Sequence, residues 1–362
     1  MIEIFSGNRI NKENLIIKKR NSNLEISEKN TSQESTKSIT DDDLSNHEKL
    51  TNYLKENNIK FNEEFELQEL MGTGSESYVY KTLIKKNKRF LTSKMIKREK
   101  GQKINLNEYK ISQKLKNNNI INTFTTINIK EDELDCIMME YAKHGNLRDF
   151  KTKILKRKTL SESLICFITY NILKGLKYIN LCKIAHFDLK PENIVVDELL
   201  NFKIIDFSVS LDYRNKESKK IKLPYRGTKH YIPPEVDKRN IINTKELNKI
   251  DLYSLGVTLY KLAFDDYPYD LNYEESKQYE NIKKEGLKDK QYHYSSHFLD
   301  FLNKLLEKDI NKRININEAL NHYWVKGADI LLEEKENLYN TNNFLIELIT
   351  NHIKRFNEHI EN

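Results

Sequence analysis

Hydrophobic and polar positions divide the chain into stretches of different period. Residues 1–40 are rich in Ser, Thr, Asn and Lys with scattered Ile, and the lack of an apolar period predicts a disordered or loosely attached leader. Thr40 followed by Asp41, Asp42 and Asp43 reads as a helix start, because carboxylates are favoured at the N-terminal end of the helix dipole. Leu44, Leu50, Tyr53 and Leu54 then give a partial apolar face up to about Asn57. From Phe61 to about Met139 the pattern is strand-rich, with one helical stretch at about 103–117. From Ala142 to about Val325 the spacing is mainly helical. Inside that region Ile194-Val195-Val196 and Phe202-Lys203-Ile204-Ile205 flank a turn at Asp197 to Asn201, which predicts a hairpin. In the tail, Leu345, Leu348, Ile349, Ile353, Phe356 and Ile360 trace an i, i+3, i+4 stripe. A helix docked on the helical region is the plainer expectation, and a partner-binding helix is the alternative. No internal repeat is visible.

Composition narrows the class without naming a function. A chain of 362 residues, 38% hydrophobic and 32% charged, is long enough for two or three structural units and a sizeable core. The formal net charge of +7 comes from 61 basic against 54 acidic residues. These are interspersed, with no basic stripe interleaved with aromatics, so a solvated surface is expected and no nucleic-acid partner. Cys136, Cys166 and Cys182 lack metal-ligand spacing and are odd in number, as expected of reduced thiols in a cytoplasmic or nuclear protein. Met1-Ile2-Glu3-Ile4 has neither the basic nor the long apolar region of a signal peptide. With Ile2 in place of glycine, no N-myristoylation is expected. No apolar run reaches the roughly 18 residues a membrane span needs.

The chemistry gathers at a few motifs. Residues 186–193 read His186-Phe187-Asp188-Leu189-Lys190-Pro191-Glu192-Asn193, and Asp206-Phe207-Ser208 follows the expected hairpin. This resembles the catalytic loop and metal-binding motif of eukaryotic-type protein kinases, H-R-D-L-K-x-x-N and D-F-G. Gly72-Thr73-Gly74-Ser75-Glu76-Ser77-Tyr78-Val79 matches the kinase glycine-rich loop, with Ser77 at the third glycine. Glycines there let backbone N–H groups approach phosphate oxygens. Leu91-Thr92-Ser93-Lys94 stands where the family has V-A-I-K, with Glu108 as the partner of Lys94. Met139 occupies the gatekeeper position, followed by hinge residues Glu140 and Ala142. Gly227-Thr228-Lys229-His230-Tyr231-Ile232-Pro233-Pro234-Glu235 resembles the segment that closes the activation loop, and Thr228 with Lys190 is the serine/threonine pattern. Glu235 is expected to pair with Arg313, Asp251 to anchor the catalytic-loop backbone, and His322-x-Trp324 to mark the last helix. A lone His186 could suggest acid–base chemistry, but the resemblance makes it a packing residue.

The resemblance covers residues 61–326. It implies an α+β, bilobal protein kinase fold with a β-rich lobe at 61–141 and a helical lobe at 142–326. The leader 1–60, with its short helix near 41–57, and the extension 327–362 flank this domain. The implied activity is ATP-dependent phosphorylation of protein Ser and Thr hydroxyls. Asp188 would be the base, with Lys190 and Asn193 beside it. Gly72, Gly74, Val79, Lys94, Glu108, Glu140 and Ala142 would bind nucleotide, and Asn193 and Asp206 would hold Mg²⁺ or alternatively Mn²⁺. The departures are Ser77, Thr92, Phe187, Ser208 and Ser112, the last one turn after Glu108 where the family prefers an apolar residue. They leave a weakly active or pseudokinase-like binding module as the alternative. Thr92, above the adenine position, is expected to weaken nucleotide affinity modestly. Lys261 and Asn146 stand where acidic residues often lie, and Lys216, Lys219, Lys220 and Lys222 add positive charge. Neutral or acidic surroundings of the target hydroxyl are therefore expected. Phe187 replaces the arginine that pairs with an activation-loop phosphate. Activity is therefore expected not to need phosphorylation at Ser210, Tyr213, Ser218 or Tyr225.

Overall fold

The structure, a computed structural model, describes residues 65–74, 77–97, 107–130, 134–214, 219–269 and 294–326. The leader, the helix expected near 41–57 and the apolar stripe of the tail lie outside the described residues. The chain divides into two compact units, one running to Tyr109 and including Asn122–Tyr141, the other made of Lys110–Ile121 and the chain from Ala142 onward.

The first unit is a five-stranded antiparallel sheet of order β1-β2-β3-β5-β4. Its strands are β1 (Phe65–Thr73), β2 (Ser77–Ile84), β3 (Arg89–Lys97), β4 (Thr123–Lys130) and β5 (Leu134–Glu140). Strand side chains alternate between faces, and the alternation sorts this sheet cleanly. Leu67, Tyr80, Leu91, Met95, Cys136 and Met138 form a buried cluster with Phe65. Two hydroxyls on that face satisfy each other, Thr82 and Ser93 at 2.6 Å, so their burial carries little penalty. The residues of β3 that point the other way are Phe90, Thr92 and Lys94. Helix α1 (Asn107–Ser112) ends before the expected 117, and residues 103–106 of the expected helix lie outside the described residues. Past Ser112 the backbone tightens to Lys114 N–H donating to Ile111 O and Leu115 N–H to Ser112 O. Asn117 Oδ1 then accepts from Asn119 N–H, a local turn that competes with helix.

The second unit is mainly helical. It contains α2 (Leu147–Asp149) continued by a π-helical turn to Ile154, α3 (Glu162–Leu181), α4 (Pro234–Asp237), α5 (Asn248–Phe264), α6 (Ser296–Leu305), α7 (Ile316–Asn321) and α8 (Tyr323–Lys326). Helix α5 is buried along its length except at Asn248 and Lys261, as befits a helix apolar on every side. At Gly256 a Cβ would lie 2.9 Å from Leu306 Cδ2 and 3.0 Å from Leu305 Cβ, so glycine sets how closely α5 approaches the end of α6. Three pairs of short strands complete the unit: β6 (Ile184–Ala185) with β9 (Leu211–Asp212), β7 (Ile194–Val196) with β8 (Phe202–Ile204), and β10 (Lys220–Lys222) with β11 (Ile241–Asn243). The expectation placed 110–121 in the β-rich lobe. Here Ile111, Leu115 and Ile120 join the helical core, and Ile121 N–H donates to Ile204 O at 3.0 Å. Among the described residues no helix is long and apolar enough to cross a membrane.

Candidate active site

In the first unit, sheet register aligns residues that are far apart in the chain. Gly72 pairs with Val79, Val79 with Lys94, and Lys94 with Ile137, one row across four strands. The next row on that face sets Thr92 opposite Met139. Lys94 Nζ donates to both oxygens of Glu108, at 2.8 and 2.9 Å. A mostly buried ammonium held by a charged partner keeps its charge in place. No atom lies within 4 Å of a Cβ built on Gly72, so neighbours do not force glycine there, and the open space is what a phosphate cradle requires. Gly74 N–H donates to Ser77 O at 2.7 Å. The N–H of Glu140 is spent on Asn122 O at 2.9 Å, so its carbonyl is the backbone group it can offer a base.

In the second unit the β7–β8 hairpin forms as expected. Asp197 Oδ1 accepts from the N–H groups of Leu199 and Asn201, at 2.9 and 2.8 Å, which fixes the turn. At its open end Ile205 N–H donates to Asn193 O at 3.0 Å, so Asn193 and Asp206 emerge side by side. Asp206 adopts the left-handed conformation at φ 64°. Asn193 spends its amide nitrogen on Asp188, donating to the carbonyl at 2.8 Å and Oδ2 at 2.9 Å. That leaves the amide oxygen, a hard donor, as the group it can offer a cation. One amide oxygen and one carboxylate suit a small divalent ion that also takes phosphate oxygens. Among the described residues no cluster of three or more His, Cys, Asp or Glu could hold a metal ion.

Asp188 accepts four hydrogen bonds. Oδ1 accepts from the N–H of Thr228 at 2.8 Å and its hydroxyl at 2.7 Å. Oδ2 accepts from Lys190 Nζ at 2.8 Å as well as from Asn193. Lys190 also reaches Thr228 Oγ1 at 2.6 Å, which closes a ring of charge-assisted bonds. The loop below is hung from α5. Both oxygens of Asp251 accept backbone N–H groups at 2.8 Å, from His186 and Phe187. Burial pushes the Asp251 carboxyl above its ordinary value, while His186 and the two N–H groups draw it back down. His186 is fully buried, its Nδ1 accepting from Asp188 N–H and its Nε2 donating to Ile205 O. Its ring stacks edge-on against Phe207 at 5.1 Å. It is a packing residue, as expected.

In the segment from Asp206 to Glu235, two of the four hydroxyls named from the sequence are buried. Ser210 is 1% exposed and donates to His186 O at 3.1 Å. Tyr213 is buried with its hydroxyl on Asn180 Oδ1 at 3.0 Å, and burial pushes its phenol up to about 12. Tyr225 is 42% exposed, and Ser218 lies outside the described residues. Long-range packing hides what local sequence presents as polar. Phe187, 3% exposed, packs in a cluster with Ala185, Tyr213, Leu223, Ile232 and Val236. Gly227, at φ +99°, crosses so close that a Cβ would lie 2.2 Å from Phe187 O, a contact no motif announced. Arg226 Nη1 donates to the carbonyls of Val209 and Ser210. At the far end Arg313 forks onto Glu235, at 2.6 and 3.0 Å. The expected structural pair therefore forms, fully buried.

The family model described as "Protein kinase domain" matches residues 65–325. The chain therefore belongs to the protein kinase family, whose members use ATP and a divalent metal. Among curated proteins it is 29% identical over 276 residues to the serine/threonine-protein kinase pakH of Dictyostelium discoideum, covering 73% of this chain and 50% of that protein. It is 32% identical over 259 residues to the serine/threonine-protein kinase pakG of the same organism, covering 70% of this chain and 21% of that protein. With death-associated protein kinase 2 of Homo sapiens the identity is 30% over 240 residues, covering 62% of this chain and 60% of the relative. The chain thus spans half or less of the two Dictyostelium relatives.

Proposed function

We propose that this chain is an active protein kinase that transfers the γ-phosphate of ATP to Ser and Thr hydroxyls of protein substrates. The observation that carries the reading is the ring formed by Asp188, Lys190, Asn193 and Thr228. A carboxylate, an ammonium and a small hydroxyl meet in it, the set of groups that orienting an acceptor hydroxyl needs. All four lone-pair sites of Asp188 are taken, so an incoming hydroxyl must displace one donor. Lys190 is the donor that can leave, because a γ-phosphate offers it stronger anionic oxygens. Its departure frees Oδ2 to accept the hydroxyl proton late in the transfer, while its charge stabilises the transferring group.

On the nucleotide side, Gly72, Gly74 and Val79 would cover the phosphates. Lys94, oriented by Glu108, would grip them, and backbone groups of Glu140 and Ala142 would receive the adenine. Asn193 and Asp206 would hold magnesium, or manganese, which supplies charge neutralisation of the phosphates when bound. The free thiols of Cys136, Cys166 and Cys182 suit a cytoplasmic or nuclear setting. The 327–362 segment is a candidate partner-binding element. Nucleotide-dependent phosphorylation by the purified full chain tests the reading, with Asp206→Ala as the control that should abolish it. Transfer at the level of the Asp206→Ala variant would favour a binding module instead.

A further inference from the structure

An exposed carboxylate beside a hydroxyl-accepting aspartate would draw cationic side chains of a peptide toward it. Glu192, four residues past Asp188, is the carboxylate placed to do so. It sits in the turn Pro191–Asn193, whose Asn193 touches Asp188. Glu192 is already engaged, with Arg148 Nη1 3.6 Å from its Oε1, the two side chains 29% and 35% exposed. Arg148 is not a loosely held surface cation. Residue 146 bridges to Val195, and His144 and Gly145 exchange backbone hydrogen bonds with Val196. Asn146 Oδ1 caps α2 by accepting from Asp149 N–H at 2.9 Å. The short helix carrying Arg148 is thus stitched to the strand that follows Glu192. Asp149 does not cancel the arginine, because it is shared between Arg148 Nε at 3.6 Å and Lys153 Nζ at 3.0 Å. Counted together, Arg148, Lys153, Asp149 and Glu192 are neutral. The residues flanking Thr228, which holds Asp188, add Arg226 and Lys229.

Resting on the kinase reading above, we propose that Arg148 is a specificity-determining residue: it occupies Glu192, disfavours cationic side chains next to the target Ser or Thr, and selects protein substrates with acidic neighbours. The test measures kcat and KM with two peptides identical except for glutamates or arginines preceding the target serine, using the full chain. The wild type should favour the glutamate peptide by about two- to fivefold in kcat/KM, the scale of a partly exposed ion pair. The preference should lie in KM and shrink as salt rises. Arg148→Ala should erase it and gain activity on the arginine peptide, and Arg148→Lys should retain most of it. The gain should vanish in Arg148→Ala combined with Glu192→Gln, which a general loss of structure would not produce. An arginine preference in the wild type, or an unchanged ratio in Arg148→Ala, would overturn the proposal and leave the kinase reading intact. Transfer to neither peptide would overturn both.

Discussion

Removing every phosphate from the activation segment should leave catalysis within a factor of ten, and the reason is the apolar plug at Phe187. A phosphate clamp orders such a segment through one to three charge-assisted hydrogen bonds, each about 1.5–3 kcal/mol. Phe187 is 3% exposed among Tyr213, Leu223, Ile232 and Val236, and burying a phenylalanine contributes about 1.5–3 kcal/mol. Hydrogen bonds from Ser210, Tyr213 and Arg226 add to it. The segment therefore holds an ordering energy of the same size as a clamp before any modification. The assay compares kcat/KM of untreated protein, phosphatase-treated protein and Tyr225→Phe, since Tyr225 is an exposed loop hydroxyl, 42% exposed. A fall beyond tenfold, about 1.4 kcal/mol of transition-state stabilisation, would refute the reasoning. The complementary perturbation is Phe187→Ala, which should cost about 3–5 kcal/mol. Hydrogen exchange should then quicken first in amides between Asp206 and Glu235, and Phe187→Leu should recover most of the protection.

Lys94→Met and Asp188→Asn should each lower kcat at least about 100-fold, the scale for losing one preorganised electrostatic group; near-normal turnover of either would dismiss its assignment. Asp251→Asn keeps the shape but offers one acceptor to two backbone N–H groups, so the unfolding free energy should fall by about 1–3 kcal/mol in denaturant titration. Arg313→Met strands Glu235 in the core and should cost about 3–5 kcal/mol, whereas the double change with Glu235→Met should recover much of the loss. Thr92→Ala should lower KM for ATP with kcat little changed, and Thr92→Val, which keeps the bulk without the hydroxyl, separates crowding from polarity.

What the sequence made legible was whatever a short motif specifies by itself. The β7–β8 hairpin follows from two apolar runs around Asp197, whose side chain builds the turn. The side chains the motifs single out, Lys94, Glu108, Asp188, Asn193 and Asp206, stand at the offsets of the kinase pattern. Residues whose role depends on distant partners were not legible. The end of α1 at Ser112 is set by the Asn-rich turn and by Ile111, Leu115 and Ile120 entering the helical core, not by propensity. Ser210 and Tyr213 read as loop hydroxyls because local polarity says nothing of packing between strands β6 and β9. Arg148 and Glu192 belong to separate elements, which the bridge between residues 146 and 195 and the hydrogen bonds of His144 and Gly145 with Val196 bring together.

The same long-range constraints explain two backbone positions that propensity would not allow. Phe187 and Asp206 both lie in the left-handed region, at φ 70° and 64°, and neither is glycine. Such a conformation costs about 1–3 kcal/mol per residue and persists only where the surroundings over-determine it. Phe187 is held from three directions: its N–H by Asp251, its ring by the apolar cluster, and its carbonyl by the close passage of Gly227. The strain falls on the residue immediately before Asp188, and Asp206 carries it immediately before Phe207, which packs on His186. Relaxing either turn would swing a carboxylate away from its partners. The fold thus spends packing energy to hold strained backbone at Asp206 and immediately before Asp188, and Gly227→Ala, which brings a methyl against Phe187 O, should disturb Asp188 without touching it. A loss of kcat in Gly227→Ala with KM for ATP unchanged is the expected signature, and unaltered turnover would show that the strained loop tolerates relaxation.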